Sequence, residues 1–434
     1  MPLDKGQQNK AVLVVHSYST YMDRGRGSCL RDAQSQLEEV ISLAEAIDLR
    51  VEEARLVKLS RPRPSTLLGV GVLEEMKEQI SAESIPLLIV NASLTPIQQR
   101  NLERFLLCKV IDRTGLILEI FGERARTREG VLQVELAALT YQRSRLVRSW
   151  THLERQRGGF GFLGGPGETQ LEVDRRLIDT RIRRLDRDLK RIRKTRSLQR
   201  KARQKVPYPI VALVGYTNAG KSTLFNRLTS SDVYVKDQLF ATLDPTMRAV
   251  ILPSGNKIIL SDTVGFISQL PTQLVEAFRA TLEEVTEADL LLHVRDISHL
   301  DAEQQAKDVD NVLKELGVGQ EMIKHEVSVL NKIDLLPKAE QPTKTSNSKD
   351  RIFLSAMTGK GCSDLLKCID DHMIKGEKVH KVTLNAKEGE RLAWLYANAH
   401  VLEREEKGAQ LHLKVRISPK NWGRFSQMVA HGES

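Results

Sequence analysis

The residues with the clearest chemistry follow an apolar run, PIVALV, that the sequence predicts to be a buried strand. Gly215 to Ser222 read GYTNAGKS and match the pattern G-x-x-x-x-G-K-[ST]. In such a loop, backbone N–H groups point at phosphate oxygens, Lys221 adds charge for the β- and γ-phosphates, and the Ser222 hydroxyl can bind Mg²⁺. The predicted phosphate-binding residues are Gly215, Tyr216, Thr217, Asn218, Ala219, Gly220, Lys221, Ser222 and Thr223.

Two later segments offer groups for a metal ion and a third phosphate. A D-x-x-G sequence ends a predicted strand, where Asp262 can hold Mg²⁺ through water and the Gly265 amide can contact a γ-phosphate. The preceding loop, FATLDPT, contains Thr242, whose hydroxyl can complete the Mg²⁺ shell. The predicted metal ligands are Ser222, Thr242 and Asp262, and the predicted catalytic residues are Lys221, Thr242 and Gly265. The further predicted nucleotide contacts are Phe240, Ala241, Thr242, Leu243, Asp244, Asp262, Thr263, Val264 and Gly265.

Two more segments point to the base. N-K-I-D follows the predicted strand VSVL, and Asp334 at its end can accept both N–H donors of a guanine edge, which adenine does not present. Ser355-Ala356 follows RIFL and can place a backbone amide against the guanine O6 atom. The predicted base contacts are Asn331, Lys332, Ile333, Asp334, Ser355 and Ala356. Because the motifs occur in order, each at a strand end or in a connecting loop, we expect GTP or GDP with Mg²⁺ as the ligand.

Phe266 departs from the pattern of many GTP-hydrolysing proteins, which carry Gln after D-x-x-G to orient the attacking water. A phenyl ring cannot do this. Two interpretations follow. Either the protein senses GTP without hydrolysing it, or its intrinsic hydrolysis is slow and a partner supplies or repositions the missing group.

The segments around these motifs predict an α/β multidomain chain. Strand and helix patterns alternate from Ala11 to about residue 120 and again from Pro207 to about residue 375, as in parallel α/β sheets. The predicted divisions are an N-terminal α/β domain (1–125), a basic antiparallel helical hairpin with a Gly-rich tip (126–206), a Ras-like P-loop G domain (207–375) and a small C-terminal α/β domain (376–434).

The hairpin is predicted from two heptad seams separated by a helix breaker. Its second helix, predicted over 171–203, has a strongly basic outer face. Residues 171–205 contain fifteen Lys/Arg and five Asp/Glu, and this excess of ten positive charges equals the net charge of the whole chain. Arg184, Arg187 and Arg191 recur at three- and four-residue steps, with Arg183 beside them. We interpret this stripe as a surface for phosphates of structured RNA, with a solvated charged helix as the alternative.

The loop GGFGFLGGPGETQ (158–170) contains G-x-G-x-x-G, the spacing of a dinucleotide-binding turn. A heptad helix precedes it where such a turn requires a strand, so we interpret it as the tip of the hairpin. Phe160 and Phe162 are then available to stack on bases.

Composition limits the cellular setting. Four scattered cysteines show no metal-binding or disulfide spacing, and the polar N-terminus has no apolar leader. No apolar run is long enough to span a bilayer. We therefore expect a cytoplasmic protein, monomeric in solution, whose basic charge favours a polyanionic partner.

Taken together, these residues resemble the HflX family of ribosome-associated bacterial GTPases, from about Ala11 to the C-terminus. The most specific segments are GPGETQLE followed by Asp174-Arg175-Arg176, then GYTNAGKSTLFN, QLFATLDPT, DTVGFI and NKID. RTREGVLQVELA (126–137) resembles the family's first hairpin helix. HflX-like proteins also place a hydrophobic residue where Phe266 stands. The resemblance implies the four domains above, binding to the large ribosomal subunit and its rRNA, action on the 70S ribosome, and separation of stalled ribosomes under stress.

Two positions depart from the family pattern. In the family, a basic residue usually stands just before GPGETQ, whereas this chain has Leu163-Gly164 there. The family also often has G-x-G-K near residue 70, whereas Gly69-Val70-Gly71-Val72 lacks the lysine. Without that lysine, the ATP-binding role attributed to the family's N-terminal half is not extended to this chain. Three functions therefore compete: a ribosome-acting GTPase, an ATP-powered RNA-remodelling enzyme, and a GTP-sensing scaffold with negligible turnover.

Overall fold

The computed structural model describes most of the chain and contains three β-sheets. The described residues are 11–18, 33–156, 170–203, 208–229, 240, 246–268, 285–286, 288–319, 322–323, 326–342, 346–348, 350–374, 378–385, 388–408, 410–417 and 419–430. Within these ranges, no helix is long and apolar enough to cross a membrane.

The first sheet, here called the N-terminal sheet, has four parallel strands in the order β2-β1-β3-β4. Its strands are β1 (Ala11–Tyr18), β2 (Arg50–Lys58), β3 (Leu87–Val90) and β4 (Lys109–Asp112). Its helices are α1 (Ala33–Glu45), α2 (Val70–Ala82), α3 (Pro96–Leu106) and α4 (Arg113–Arg124). Strand β3 is buried along its whole length, as expected for a parallel strand covered by helices on both faces.

Two long helices follow: α5 (Arg128–Gln156) and α6 (Gln170–Arg203). They pack side by side, with Arg181 paired to Glu135 at 2.7 Å and Arg143 paired to Asp179 at 3.2 Å. The apolar residues Ile182, Leu185 and Leu189 of α6 are buried. The residues that join the two helices, together with the predicted Gly-rich tip at 158–169, lie outside the described residues.

The second sheet, here called the central sheet, has seven strands in the order β10-β11-β9-β8-β5-β7-β6. Strands β6 and β10 run antiparallel to their neighbours, and the other pairings are parallel. Its strands are β5 (Ile210–Gly215), β6 (Thr246–Ile251), β7 (Lys257–Asp262), β8 (Leu290–Asp296), β9 (Val327–Asn331), β10 (Ser346–Ser348) and β11 (Arg351–Phe353). Its helices, among the described residues, are α7 (Lys221–Thr229), α8 (Ala302–Glu315) and α9 (Cys362–Ile374), with a 3₁₀ turn at Ile333–Leu335.

The third sheet has three antiparallel strands in the order β12-β14-β13. It consists of β12 (Lys378–Asn385), β13 (His400–Lys407) and β14 (Gln410–Ile417), with helices α10 (Gly389–Asn398) and α11 (Pro419–Ala430). The side chains of Leu395, Val415 and Phe425 form part of its buried core.

The N-terminal and central sheets share one continuous core. A single buried cluster contains Leu43 of α1 and Leu116 of α4 together with Val214 of β5 and Val309 of α8. The three sheets and their helices confirm the predicted α/β multidomain class. The packing also brings the N-terminal helices against the segments that carry the predicted nucleotide site.

Candidate nucleotide-binding site

The phosphate-binding loop connects β5 to α7 at the carboxyl end of the central sheet. Its backbone requires glycine at two positions. At Gly215, with φ +150°, a Cβ atom would lie 2.2 Å from the Val294 carbonyl oxygen, and at Gly220, with φ +92°, it would lie 2.2 Å from the Asn331 side chain. Any other residue at either position would force the loop away from its neighbours.

Lys221 begins α7, and its side chain is buried in the loop that it is predicted to serve. Its Nζ atom donates hydrogen bonds to the carbonyl oxygens of Tyr216 at 2.7 Å and Gly215 at 3.1 Å. Burial lowers the pKa of Lys221 to about 8, and the negative charge of Asp262 partly opposes this shift. A polyphosphate bound here would favour the charged form of the amine, so anion binding and lysine protonation stabilise each other.

The two described candidates for Mg²⁺ binding lie together. Ser222 Oγ donates a hydrogen bond of 2.7 Å to Asp262 Oδ2. Asp262 and the neighbouring Thr263 are buried, and Thr263 Oγ1 donates to the Leu213 carbonyl oxygen at 2.6 Å, which fixes the end of β7 against β5. A hydroxyl and a carboxylate are the hard oxygen donors that Mg²⁺ prefers. The third predicted ligand, Thr242, lies outside the described residues, as do Ala241, Leu243 and Asp244.

The D-x-x-G segment lies directly against the phosphate loop. Thr217 N–H donates to the Phe266 carbonyl oxygen at 2.7 Å, and Phe266 N–H donates to the Gly215 carbonyl oxygen at 3.1 Å. A Cβ atom at Gly265 would lie 2.9 Å from the Thr217 Cα atom and 3.0 Å from Lys221 Nζ. Any larger residue at Gly265 would therefore push the D-x-x-G segment away from the phosphate loop.

Phe266 is only 3% exposed and belongs to the shared core, as does Phe240. The aromatic ring of Phe240 also makes an edge-to-face contact with Phe121 of α4, with ring centroids 4.7 Å apart. At the position after D-x-x-G, the side chain therefore packs inward and offers no polar atom to a water molecule.

The predicted guanine-binding residues are tied to the phosphate loop by Asn331. Its Nδ2 atom donates to the Ala219 carbonyl oxygen at 2.8 Å, and its Oδ1 atom accepts from Ala356 N–H at 2.9 Å. Three segments far apart in the sequence are joined by this one side chain. Asp334 is exposed, so its carboxylate is available to a base, whereas Ile333 and Ser355 are buried. Lys332 pairs with Asp296 at 2.7 Å.

Sequence reasoning missed the part of the site that comes from the N-terminal sheet. The phenol of Tyr216 donates to Glu39 of α1 at 2.8 Å, and Arg113 of α4 donates to the Ser268 carbonyl oxygen at 3.0 Å. The one hint in the sequence is Tyr216 itself, a tyrosine at a position of the phosphate-loop pattern where any residue is allowed. The Gly69–Val72 segment, which lacks the lysine of G-x-G-K, lies at the start of α2 and supplies none of these contacts.

Four family models match successive parts of the chain. They are described as GTP-binding GTPase N-terminal (residues 34–122), GTP-binding GTPase Middle Region (124–203), 50S ribosome-binding GTPase (210–332) and HflX C-terminal domain (341–432). Together they extend from α1 to α11.

Similar proteins match over nearly the full length. GTPase HflX of Magnetococcus marinus is 52% identical, covering 92% of this chain and 92% of that protein. GTPase HflX of Escherichia coli K12 is 43% identical, covering 97% and 96% respectively. A crystallised GTP-binding protein from Sulfolobus solfataricus, in complex with GDP, is 24% identical with a TM-score of 0.44, covering 84% of this chain and 99% of that one.

Proposed function

This chain belongs to the HflX family of GTPases, and we propose that it binds the large ribosomal subunit through α5 and α6 and separates stalled or idle ribosomes under stress. It is a GTP-hydrolysing enzyme. The match of residues 210–332 to a 50S ribosome-binding GTPase model supports the ribosome as partner. The observation that carries the proposal is the row of exposed arginines on α6.

That row has the form expected of a phosphate-binding surface. Arg184, Arg187 and Arg191 are exposed on one face of a helix whose opposite face is buried. Two carboxylates between the helices are already paired, because Glu135 of α5 contacts Arg181 of α6 and Asp179 of α6 contacts Arg143 of α5. At about 1.5 Å per residue, α6 is about 50 Å long, so it can present these guanidinium groups along an RNA backbone.

The chemistry of the site follows from the described side chains. Lys221 would place its positive charge at the β- and γ-phosphates, and Gly265 N–H would donate to the γ-phosphate. Asp334 would accept the two N–H groups of guanine, while Asn331 holds the phosphate loop and the Ala356 amide at a fixed separation. These contacts position GTP and stabilise charge, which is most of what phosphoryl transfer requires from a protein.

Mg²⁺ fits the same site. Ser222 and Asp262 would hold the ion, since their oxygen atoms already lie 2.7 Å apart at the end of the phosphate loop, and Thr242 is the proposed third ligand. When bound, Mg²⁺ neutralises charge on the β- and γ-phosphate oxygens.

We expect the large ribosomal subunit to accelerate GTP hydrolysis by about tenfold or more, because Phe266 offers no group to orient water and a partner must compensate. The measurement is single-turnover phosphate release with and without saturating large subunits. Lys221→Ala, which should lose activity in both conditions, identifies the responsible site. Equal rates for the unmodified protein with and without subunits would contradict activation by the ribosome.

A further inference from the structure

Two helices of the N-terminal sheet supply a buried ion pair to the nucleotide site. Arg113, the first residue of α4, contacts Glu39 of α1, and both side chains are only 8% exposed. Arg113 also donates to Asn91 Oδ1 at 2.8 Å, which fixes the guanidinium group in place. A buried pair held by several hydrogen bonds is rigid, since moving one charge away would leave the other buried and unpaired.

The ion pair extends to the phosphate loop through Tyr216. The Tyr216 hydroxyl donates to Glu39 Oε2 at 2.8 Å and accepts from Ser268 N–H at 2.9 Å. Tyr216 is 5% exposed, so these bonds are protected from solvent. The carbonyl oxygen of the same residue accepts a hydrogen bond from Lys221 Nζ, so the position of Tyr216 also sets that of the lysine.

The ion pair reaches the D-x-x-G segment through Ser268. Arg113 Nη2 donates to the Ser268 carbonyl oxygen at 3.0 Å and to its Oγ atom at 3.2 Å. Ser268 lies three residues after Gly265, just beyond the two backbone hydrogen bonds that join Phe266 to the phosphate loop. We refer to Glu39, Arg113, Tyr216 and Ser268 as the Tyr216 network.

We propose that Glu39 and Arg113 are positioning residues for GTP hydrolysis, acting through Tyr216 and Ser268 to hold Gly265 where its amide meets the γ-phosphate. The network consists of contacts within the protein, so it can hold this segment in place without help from the nucleotide. In the proposed site, GDP would use the base and phosphate-loop contacts, whereas GTP would also use Gly265. The Tyr216 network therefore raises the affinity for GTP relative to GDP.

The test uses Tyr216→Phe in the full chain, because this change keeps the ring and removes both hydroxyl hydrogen bonds. The dissociation constants of fluorescent GDP and of a fluorescent, non-hydrolysable GTP analogue are measured for each variant. We expect about a tenfold loss of affinity for the analogue, as for two ordinary hydrogen bonds, and less than a threefold change for GDP. Ser268→Ala, which removes only the hydroxyl contacts to Arg113 and Glu39, should show a smaller loss in the same direction.

Ser35→Ala is the matched control. Ser35 Oγ donates to Asp301 Oδ2 at 2.6 Å, so it joins α1 to the segment before α8 rather than to the phosphate loop or the D-x-x-G segment. It should leave the ratio of the two dissociation constants unchanged. An equal loss of affinity for both nucleotides in Tyr216→Phe would make the network a general interface contact and overturn the proposal. So would an unchanged ratio, or tighter binding of the analogue.

Discussion

Replacing Asp334 with Asn will lower the affinity for GTP by about 10³-fold, because two hydrogen bonds from guanine to a charged carboxylate are lost. The same change will raise the affinity for xanthosine triphosphate, whose O2 carbonyl matches the amide N–H that Asn supplies. Asp334 is exposed, and its neighbour Asn331 holds the surrounding segments independently, so the loop should keep its conformation. Competition binding with both triphosphates measures the two changes together.

Asp371→Asn provides the control for this experiment. Asp371 is also exposed and lies on α9, which packs on the central sheet. The chemical change is the same, but Asp371 is not one of the predicted base contacts. Its affinities should match those of the unmodified protein. If Asp334→Asn bound GTP as tightly as before, or lost GTP without gaining xanthosine triphosphate, the assignment of Asp334 to the base would be wrong.

Changing Arg184, Arg187 and Arg191 together to Glu will weaken binding to large ribosomal subunits by about 100-fold or more at low salt. Each lost phosphate contact should also lower the slope of log affinity against log salt by about one. The three side chains are exposed, so the core beneath them at Ile182, Leu185 and Leu189 should be unaffected. Sedimentation binding at several salt concentrations, with the GTP analogue present, gives both quantities.

Electrostatic repulsion from a more acidic protein has to be separated from loss of specific contacts. Lys257→Glu, Lys307→Glu and Lys338→Glu together change the formal charge by the same amount at exposed positions of the central sheet and its loops. Nucleotide affinity should be the same in both triple variants. An unchanged salt slope in the α6 variant, or an equal loss of binding in the control, would contradict an RNA-binding role for this row.

The motifs of the nucleotide site could be predicted because each role requires particular atoms at a fixed spacing along one strand and loop. Gly215, Lys221 and Asp262 are examples, and the structure places them together as expected. Contacts between distant segments could not be predicted in this way. Tyr216 and Glu39 are 177 residues apart, and nothing in either local sequence indicates that α1 packs against the phosphate loop.

In the helical hairpin, the sequence predicted the extent of a helix better than it predicted which residues are buried. Heptad spacing predicted its second helix over 171–203, and α6 spans Gln170–Arg203. On α5, however, the buried residues include Gln133, Val134 and Ala137, of which the last two belong to the shared core. The leucines at heptad spacing on this helix are half-buried: Leu132, Leu136, Leu139 and Leu146. A helix packed on two sides has two apolar faces, and a heptad pattern identifies only one of them.

The most direct test of the central claim is sucrose-gradient sedimentation of intact ribosomes with this protein and GTP, a non-hydrolysable GTP analogue, or GDP. We expect the protein to sediment with the large subunit in the GTP-bound states, the peak of intact ribosomes to decrease, and neither effect to occur with GDP. Undiminished intact ribosomes in every nucleotide state, with the protein remaining at the top of the gradient, would contradict a ribosome-separating GTPase.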